Sequence, residues 1–327
     1  MSGSPRWHGR TPEAFLEGLR PELADLEKWR LSLLDKRAQG GKWMLGVVVL
    51  GLLTGVVGLS EGVLGVFLGV LVLVIGMAVV YGVFFAGTAG EFQGRFKQEV
   101  VNRVVSAMEP GIRYQPKGHV EERWFRASGL FSHPDRYQGE DFFVGNIGKT
   151  DLFFSEIHAE DRRTRTDSDG NTETYYVTIF RGLLVVADFH KHFKSEVEVR
   201  PDGLEKLGAF GRSLQKLGGK VERMENPEFE RLFVVRASDA VEARYILTPA
   251  MQERFVELAG KFSKEVRAAF RDSLVYVAIP KQADWFEGDL KCRVDDLGQF
   301  RELVFQLSAC FGLVEDLDLN TRIWTKD

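Results

Sequence analysis

The chain has 327 residues, and its 43 Lys+Arg against 47 Asp+Glu leave a formal net charge of −4. A balance this even excludes a general nucleic-acid binder, which would carry a basic excess. The two cysteines, Cys292 and Cys310, are too few for a disulfide framework, have no zinc-ligand spacing, and read as reduced thiols.

Residues 1–10 lack periodicity and read as a loose tail. Thr11, Pro12 and Glu13 then open a helix by supplying a cap, a first-turn proline and an acid at the positive end of the dipole. Leu16, Leu19, Leu23, Leu26 and Leu33 recur at helical spacing to about residue 36, with Arg30 in the one missing position of the stripe.

Residues 43–86 are apolar on every face, and Glu61 is their only formal charge. One bilayer crossing takes about 20 apolar residues, and this run is about twice that, interrupted at Ser60-Glu61-Gly62. The sequence predicts two transmembrane helices, 43–59 and 63–87, joined by a short turn. Length weighs against a buried hairpin of a soluble protein, and a late start weighs against a cleaved signal peptide. Lys36, Arg37 and Lys42 precede the hairpin, Arg95, Lys97 and Arg103 follow it, and the turn has neither Lys nor Arg. Basic flanks stay inside, so the expectation is a multi-pass protein of the cytoplasmic (inner) membrane with both termini cytoplasmic. Gly51 and Gly55, Gly58 and Gly62, and Gly65 and Gly69 share the spacing that lets helix backbones approach in lipid. They would pack the hairpin against itself or against another protomer.

Phe92, Phe96, Val100, Val104 and Met108 form a second stripe, predicting a juxtamembrane helix over 91–108 that pairs with the first. Mixed charges on both helices weigh against one of them lying on the membrane surface. Residues 111–327 suffice for one sizeable domain or two small ones. In them the sequence predicts a short helix within 120–131 and long strands over 151–165 and 172–190 with a turn at 167–171. A short strand at 196–200 and a helix over 204–217 follow. Paired strands are predicted at 232–236 and 241–247, a helix from Thr248-Pro249 to about 262, a hairpin of 266–271 with 274–279, and a last helix over 295–311. Strand pairs alternating with single helices point to an α+β domain with antiparallel sheet.

Asn226-Pro-Glu-Phe-Glu-Arg-Leu-Phe-Val-Val, Val241-Glu-Ala-Arg-Tyr-Ile-Leu-Thr-Pro249, Tyr276-Val-Ala-Ile-Pro280, Trp285-Phe286 and Leu319-Asn-Thr-Arg-Ile-Trp324 resemble the uncharacterised prokaryotic membrane family called domain of unknown function 3137. The resemblance extends back through Leu183–Phe193, Ser155-Glu156 and the hairpin; Asn226 stands where the family usually has an acid. It implies a cytoplasmic helix, two membrane helices and a mixed domain in this order, and it implies no activity.

The chemical motifs are weak. Gly145-Asn-Ile-Gly-Lys149-Thr150 lacks the first glycine of a phosphate loop, and a strand follows it, so it reads as a turn. Asp167, Asp169, Asn171 and Glu173 alternate, but Gly170 is misplaced for a calcium loop and Thr178 holds the position of its last ligand. His190 and His192 would share one strand face, and His158 on the neighbouring strand could join them in a metal cluster with Asp188 or Glu156. Surface histidines are the default, so no metal or cofactor is assigned. On a strand, Glu242 and Arg244 would share one face and Tyr245 the other, as a half-exposed edge or an interaction surface. The leading expectation is a non-enzymatic, membrane-anchored binding or scaffold module with the lipid bilayer and a protein partner or a second copy as its partners. The alternative is a membrane-tethered hydrolase or metal-dependent enzyme built around His158, His190 and His192.

Overall fold

The computed structural model describes residues 12–59, 62–166, 171–189, 193–202, 220–281, 284–317 and 319. Thr11, Ser60 and Glu61, residues 167–170, the expected helix at 204–217, and His190 and His192 lie outside the described residues.

Helix α1 runs from Pro12 to Gly58 over 47 residues. It continues through residues 37–42, where the sequence reading separated a juxtamembrane helix from a membrane one. Gly40 and Gly41 each cost about 1 kcal/mol relative to Ala, but long helical runs flank them and propagation is cheaper than a second nucleation. Helix α2 spans Val63–Phe84. Gly87 then takes a left-handed φ of 82° and opens α3, Thr88–Phe96, which explains why the second apolar helix stops short of residue 87. A π-helical turn at Lys97–Val101 leads into α4, Asn102–Met108.

Glycines set the contact between α1 and α2. A Cβ on Gly58 would lie 2.4 Å from the Gly65 backbone, and one on Gly69 would lie 2.8 Å from the backbone of Gly55. Nearby, Gly51 accommodates Leu73 and Gly76 accommodates Val47. Elsewhere the hairpin turns its apolar side chains outward: Val57, Val63, Leu64 and Phe67 are all exposed. Each helical arm contains a stretch long and apolar enough to cross a membrane by length and composition, and only 11 % of each such stretch is buried.

Packing divides the chain into two compact units, residues 1–104 with 286–305, and residues 105–285 with 306–327. A last helix, Leu297–Asp316, contributes its first part to one unit and its second to the other. In the first unit the leucine stripe of α1 is buried together with Phe92, Phe96 and Val100, and Trp29 stacks on Phe92 at 6.5 Å. Segment 286–296 is fastened there by polar bonds. Gln93 exchanges two hydrogen bonds with the Gly288 backbone, at 2.6 and 2.9 Å. Arg30, only 4 % exposed, donates to the Leu290 carbonyl at 2.9 Å and grips Glu27 with two further N–H groups. Glu27 in turn accepts from the Val294 N–H at 3.0 Å. The arginine that interrupts the leucine stripe is therefore a buried hydrogen-bonding post.

In the second unit, nine described strands form one antiparallel sheet. They are β1 (Ile112–Gln115), β2 (Arg136–Ile147), β3 (Thr150–Thr166), β4 (Thr172–Asp188), β5 (Val197–Pro201), β6 (Lys220–Glu222), β7 (Phe233–Ala237), β8 (Arg267–Arg271) and β9 (Leu274–Pro280). Their order is β1-β2-β3-β4-β9-β8-β5-β7-β6. The expected long hairpin is β3–β4, and the expected 266–279 hairpin is β8–β9. Within the Gly145–Thr150 segment, residues 145–147 end β2, Gly148 and Lys149 make the tight turn, with Gly148 at φ 63°, and Thr150 opens β3. Short helices α5 (Glu122–Ser128) and α6 (Pro227–Leu232) interleave with the strands.

Residues 240–246 depart from expectation: they form helix α7, Ala240–Ile246, instead of a strand. The Asp239 carboxylate caps it by accepting from Val241 and Glu242 N–H groups, both at 2.8 Å. Ala243 and Ile246 are the residues α7 buries, a spacing of three that a strand would not produce. Helix α8, Pro249–Lys261, begins where predicted, with Thr248 accepting from Met251 N–H. The last helix, Leu297–Asp316, is α9.

One sheet face packs Phe125, Phe131, Phe180, Ile157 and Tyr276 into a core. On the other, Phe143 and Phe154 stack at 4.5 Å and meet the edge of Phe311. Side chains alternate along a strand, so Glu156 and His158 continue the Phe154 row of β3. On that face an aromatic core gives way to a polar cleft.

Candidate binding cleft

The cleft has a volume of about 300 Å³ and lies across β2, β3, β4 and the chain that follows β9. Strand register sets its walls. Glu140 lies directly opposite Glu156 across β2 and β3, and His158 lies between Gln138 and Arg181. At Gly182 the chain takes a φ of 155°, and a Cβ there would lie 2.1 Å from the Ile279 carbonyl. Close approach of β9 to β4 brings Lys281 to the cleft, where its N–H donates to the Arg181 carbonyl at 3.0 Å.

The central group is an ion pair in which Glu156 is 8 % and Lys281 6 % exposed. The Lys281 ammonium donates to Glu156 Oε1, which also accepts from the Trp285 N–H at 2.8 Å. The Lys281 Nζ lies 5.1 Å from the Trp285 ring centroid, and Trp285 stacks on Phe262 at 6.1 Å. Burial raises the Glu156 pKa and lowers that of Lys281, and each is partly restored by the opposite charge beside it. Taking both ions out of water is what makes the pair costly to disturb.

Next to it, β2 bulges between Glu140 and Phe143. Asp141 sits there at a φ of 58° and is fully buried. Its N–H donates to the Pro116 carbonyl at 3.0 Å, and its carboxylate accepts from the Tyr114 hydroxyl. Carboxylate oxygens of Glu140, Asp141 and Glu156 lie within 4.8 Å of one another. Three acids at this distance repel, and the Lys281 ammonium offsets the charge of one of them, Glu156. At the rim, Arg181 pairs with Asp284 at 2.7 Å, both about half exposed.

Of the histidines singled out by sequence, His158 is on the cleft wall. Its Nε2 is 3.0 Å from the Thr178 hydroxyl and 3.8 Å from Glu160. Glu156 shares this cleft, whereas Asp188 pairs with Leu274 at the far end of β4 from Arg181. That is a distance of about 23 Å along the strand. His190 and His192 are outside the described residues.

Glu242, Arg244 and Tyr245 diverge on α7. Glu242 accepts from the N–H groups of Ser195 and Lys194 at 2.7 and 3.1 Å, tying the helix to the segment before β5. Arg244 lies 3.5 Å from Glu225, and Tyr245 is 39 % exposed, one turn from exposed Val241. Lys281, Arg181, Glu140 and Asp284 are cleft residues that sequence reasoning did not reach. Residues 156 and 281 meet only because β9 crosses back beside β4, which no local spacing announces.

No curated protein matches the chain. Among solved structures, the crystal structure of the mycobacterial trehalose monomycolate transport factor A, TtfA, aligns over 66 % of this chain and 96 % of that chain, with 10 % identity and a TM-score of 0.34. Residues 178–319 match the family model described as protein of unknown function (DUF3137), the family that the sequence resembles.

Proposed function

We propose that this chain is a non-enzymatic binding module anchored in the cytoplasmic membrane by its helical hairpin, with both termini and the sheet unit on the cytoplasmic side. One observation carries the reading. The α1–α2 hairpin closes backbone on backbone at Gly58 and Gly65 while leaving its apolar side chains facing outward. In water that surface would be an aggregation liability; in hydrocarbon it is the surface a two-helix anchor presents. Basic residues on both flanks and none in the turn support the orientation. A polar cleft in the sheet unit supports binding as its role.

A tethered hydrolase draws support from His158 on the cleft wall. Against it, Glu156 is held by Lys281 and Trp285, and His158 by Thr178, so the two do not form the acid–base pair that such an enzyme needs.

The test is fractionation of cells producing the full chain, followed by extraction with alkaline carbonate. The anchored reading expects the protein to stay in the pellet and to enter solution with detergent. Release by carbonate alone would overturn it.

A further inference from the structure

We infer that the open edge of β4, residues 172–178, pairs with the same edge of a second copy of this chain, joining two β3–β4 ribbons into one four-stranded sheet. Such pairing goes beyond the anchored reading proposed above and does not rest on it.

Strand register creates the edge. β2 pairs with β3 only as far as Glu160, and β9 pairs with β4 only from Gly182. Beyond those points residues 161–166 and 172–177 pair with each other alone. They form a two-stranded ribbon about 20 Å long whose residues are mostly exposed. Such a ribbon is marginal in water without a third strand or a covered face. One contact fixes the direction of its backbone groups. The Arg162 N–H donates at 2.8 Å to the carboxylate of Asp135, the residue before β2, and so points away from β4. Arg162 and Tyr176, which lie opposite each other, therefore exchange no ladder bonds, and the backbone groups of Tyr176 point away from β3. By alternation so do those of Thr172, Thr174 and Thr178. Among the described residues no backbone group bonds to this edge. The Arg136 guanidinium stacks on the Tyr176 ring, and His158 meets the Thr178 hydroxyl. Both contacts are to side chains and leave the backbone edge open.

Exposed sheet edges are normally blunted by shortness or by charge. The terminal strands β1 and β6 have four and three residues. The β3 side of the ribbon carries Arg162, Arg163 and Arg165, and Asp135 caps part of it. The β4 side reads Thr-Glu-Thr-Tyr-Tyr-Val-Thr, with a single charge and a high preference for strand. An occupant of this edge must bring an extended backbone, and main-chain hydrogen bonds supply the affinity. Charge then favours like against like. A two-fold axis at Tyr175 sets Thr174 against Tyr176, Thr172 against Thr178, and Glu173 against Val177 of the other copy. The two Glu173 carboxylates are then about 13 Å apart, beyond the screening length of about 8 Å at physiological salt. Within its own ribbon each Glu173 lies opposite Arg165. The same operation on the β3 edge, about Thr164, would set Arg163 against Arg165 and be repelled. Pairing β3 of one copy with β4 of the next is head-to-tail and runs on into a chain or ring instead of closing as a dimer.

The experiment is a mass measurement by light scattering on the full chain in a maltoside detergent, with disulfide crosslinking in a background of Cys292→Ser and Cys310→Ser. A dimer is expected. Tyr175→Cys should crosslink it, because opposed residues at such an axis have Cα atoms about 4.5 Å apart, within disulfide reach. Glu173→Cys and Thr164→Cys should not crosslink. Thr174→Pro removes one outward N–H per copy and no β3–β4 bond. The dimer thereby loses two hydrogen bonds and should weaken about tenfold or more. A monomer would leave the edge to a strand of another protein and overturn the proposal. Species larger than a dimer, equal crosslinking at 173 and 175, or a dimer as tight with Thr174→Pro would also overturn it. A protein that stays in the carbonate pellet yet runs as a monomer loses this inference and keeps its anchor.

Discussion

Arg30 shows what one residue can conceal. In a helical wheel it is a defect in a leucine stripe. In the structure it is a buried guanidinium whose N–H groups are divided between Glu27 and the Leu290 carbonyl. Glu27 consequently ionises below its usual value of 4.5, first because of the hydrogen bond from Arg30. A carboxyl whose pKa is lower folded than unfolded contributes stability above the unfolded pKa and loses it as pH falls through the folded one. The thermal midpoint of the detergent-solubilised chain should therefore drop between about pH 5 and about pH 3, and Glu27→Gln should flatten that part of the profile. Equal slopes for the two proteins would refute the assignment. The Glu156–Lys281 pair makes a different prediction because both ions are buried. Glu156→Met or Lys281→Met alone strands the partner charge and should cost about 3–5 kcal/mol in denaturant unfolding. The double substitution should recover most of that loss, and additive losses would mean that the pair is not coupled.

Among the elements, helix boundaries marked by local chemistry are the most legible. Thr248-Pro249 announces α8 because a hydroxyl cap followed by proline acts within one turn of its own position. Residues 240–246 read as a strand because Val241, Tyr245 and Ile246 favour strands on average. The Asp239 cap and the burial of Ala243 and Ile246 outweigh that preference. In the hairpin, the glycines differ in what surrounds them, and the sequence does not rank them. Gly58 and Gly65 meet backbone to backbone, whereas a methyl group at Gly46 or Gly82 would have nothing within 4 Å of it. Gly58→Leu or Gly65→Leu should separate the helices and cost about 1–3 kcal/mol by overpacking. Gly46→Ala and Gly82→Ala should be neutral or slightly stabilising through helix propensity. Thermal midpoints in detergent would check the ranking, and a uniform effect at all four positions would contradict it.

For the whole molecule, the composition of residues 43–86 decides more than any fold detail. On the anchored reading proposed above, these forty-odd residues lie in hydrocarbon and both ends of the chain are on the same side of the membrane. Single cysteines placed at Ala38 and at Lys149, with Cys292 and Cys310 replaced by serine, should be labelled by an impermeant maleimide only after cells are opened. Labelling of either site in intact cells would reverse the orientation. The family match over residues 178–319 contains Arg181, Lys281 and Asp284, while Glu140 and Glu156 lie before it. The cleft thus joins residues on both sides of the matched boundary.

What the sequence determined by itself is what depends on near neighbours: two long apolar helices, amphipathic stripes, caps, the β3–β4 and β8–β9 hairpins, and an α+β class. Periodicity and composition act within a few residues, so they can be read without knowing where the chain goes next. Only the tertiary structure decided that β9 lies beside β4, that Lys281 reaches Glu156 across 125 positions of sequence, and that segment 286–296 is fastened to the helices flanking the hairpin. Those contacts are chosen by the packing of distant elements, where burial sets the cost of every unpaired charge, and no local pattern carries that information.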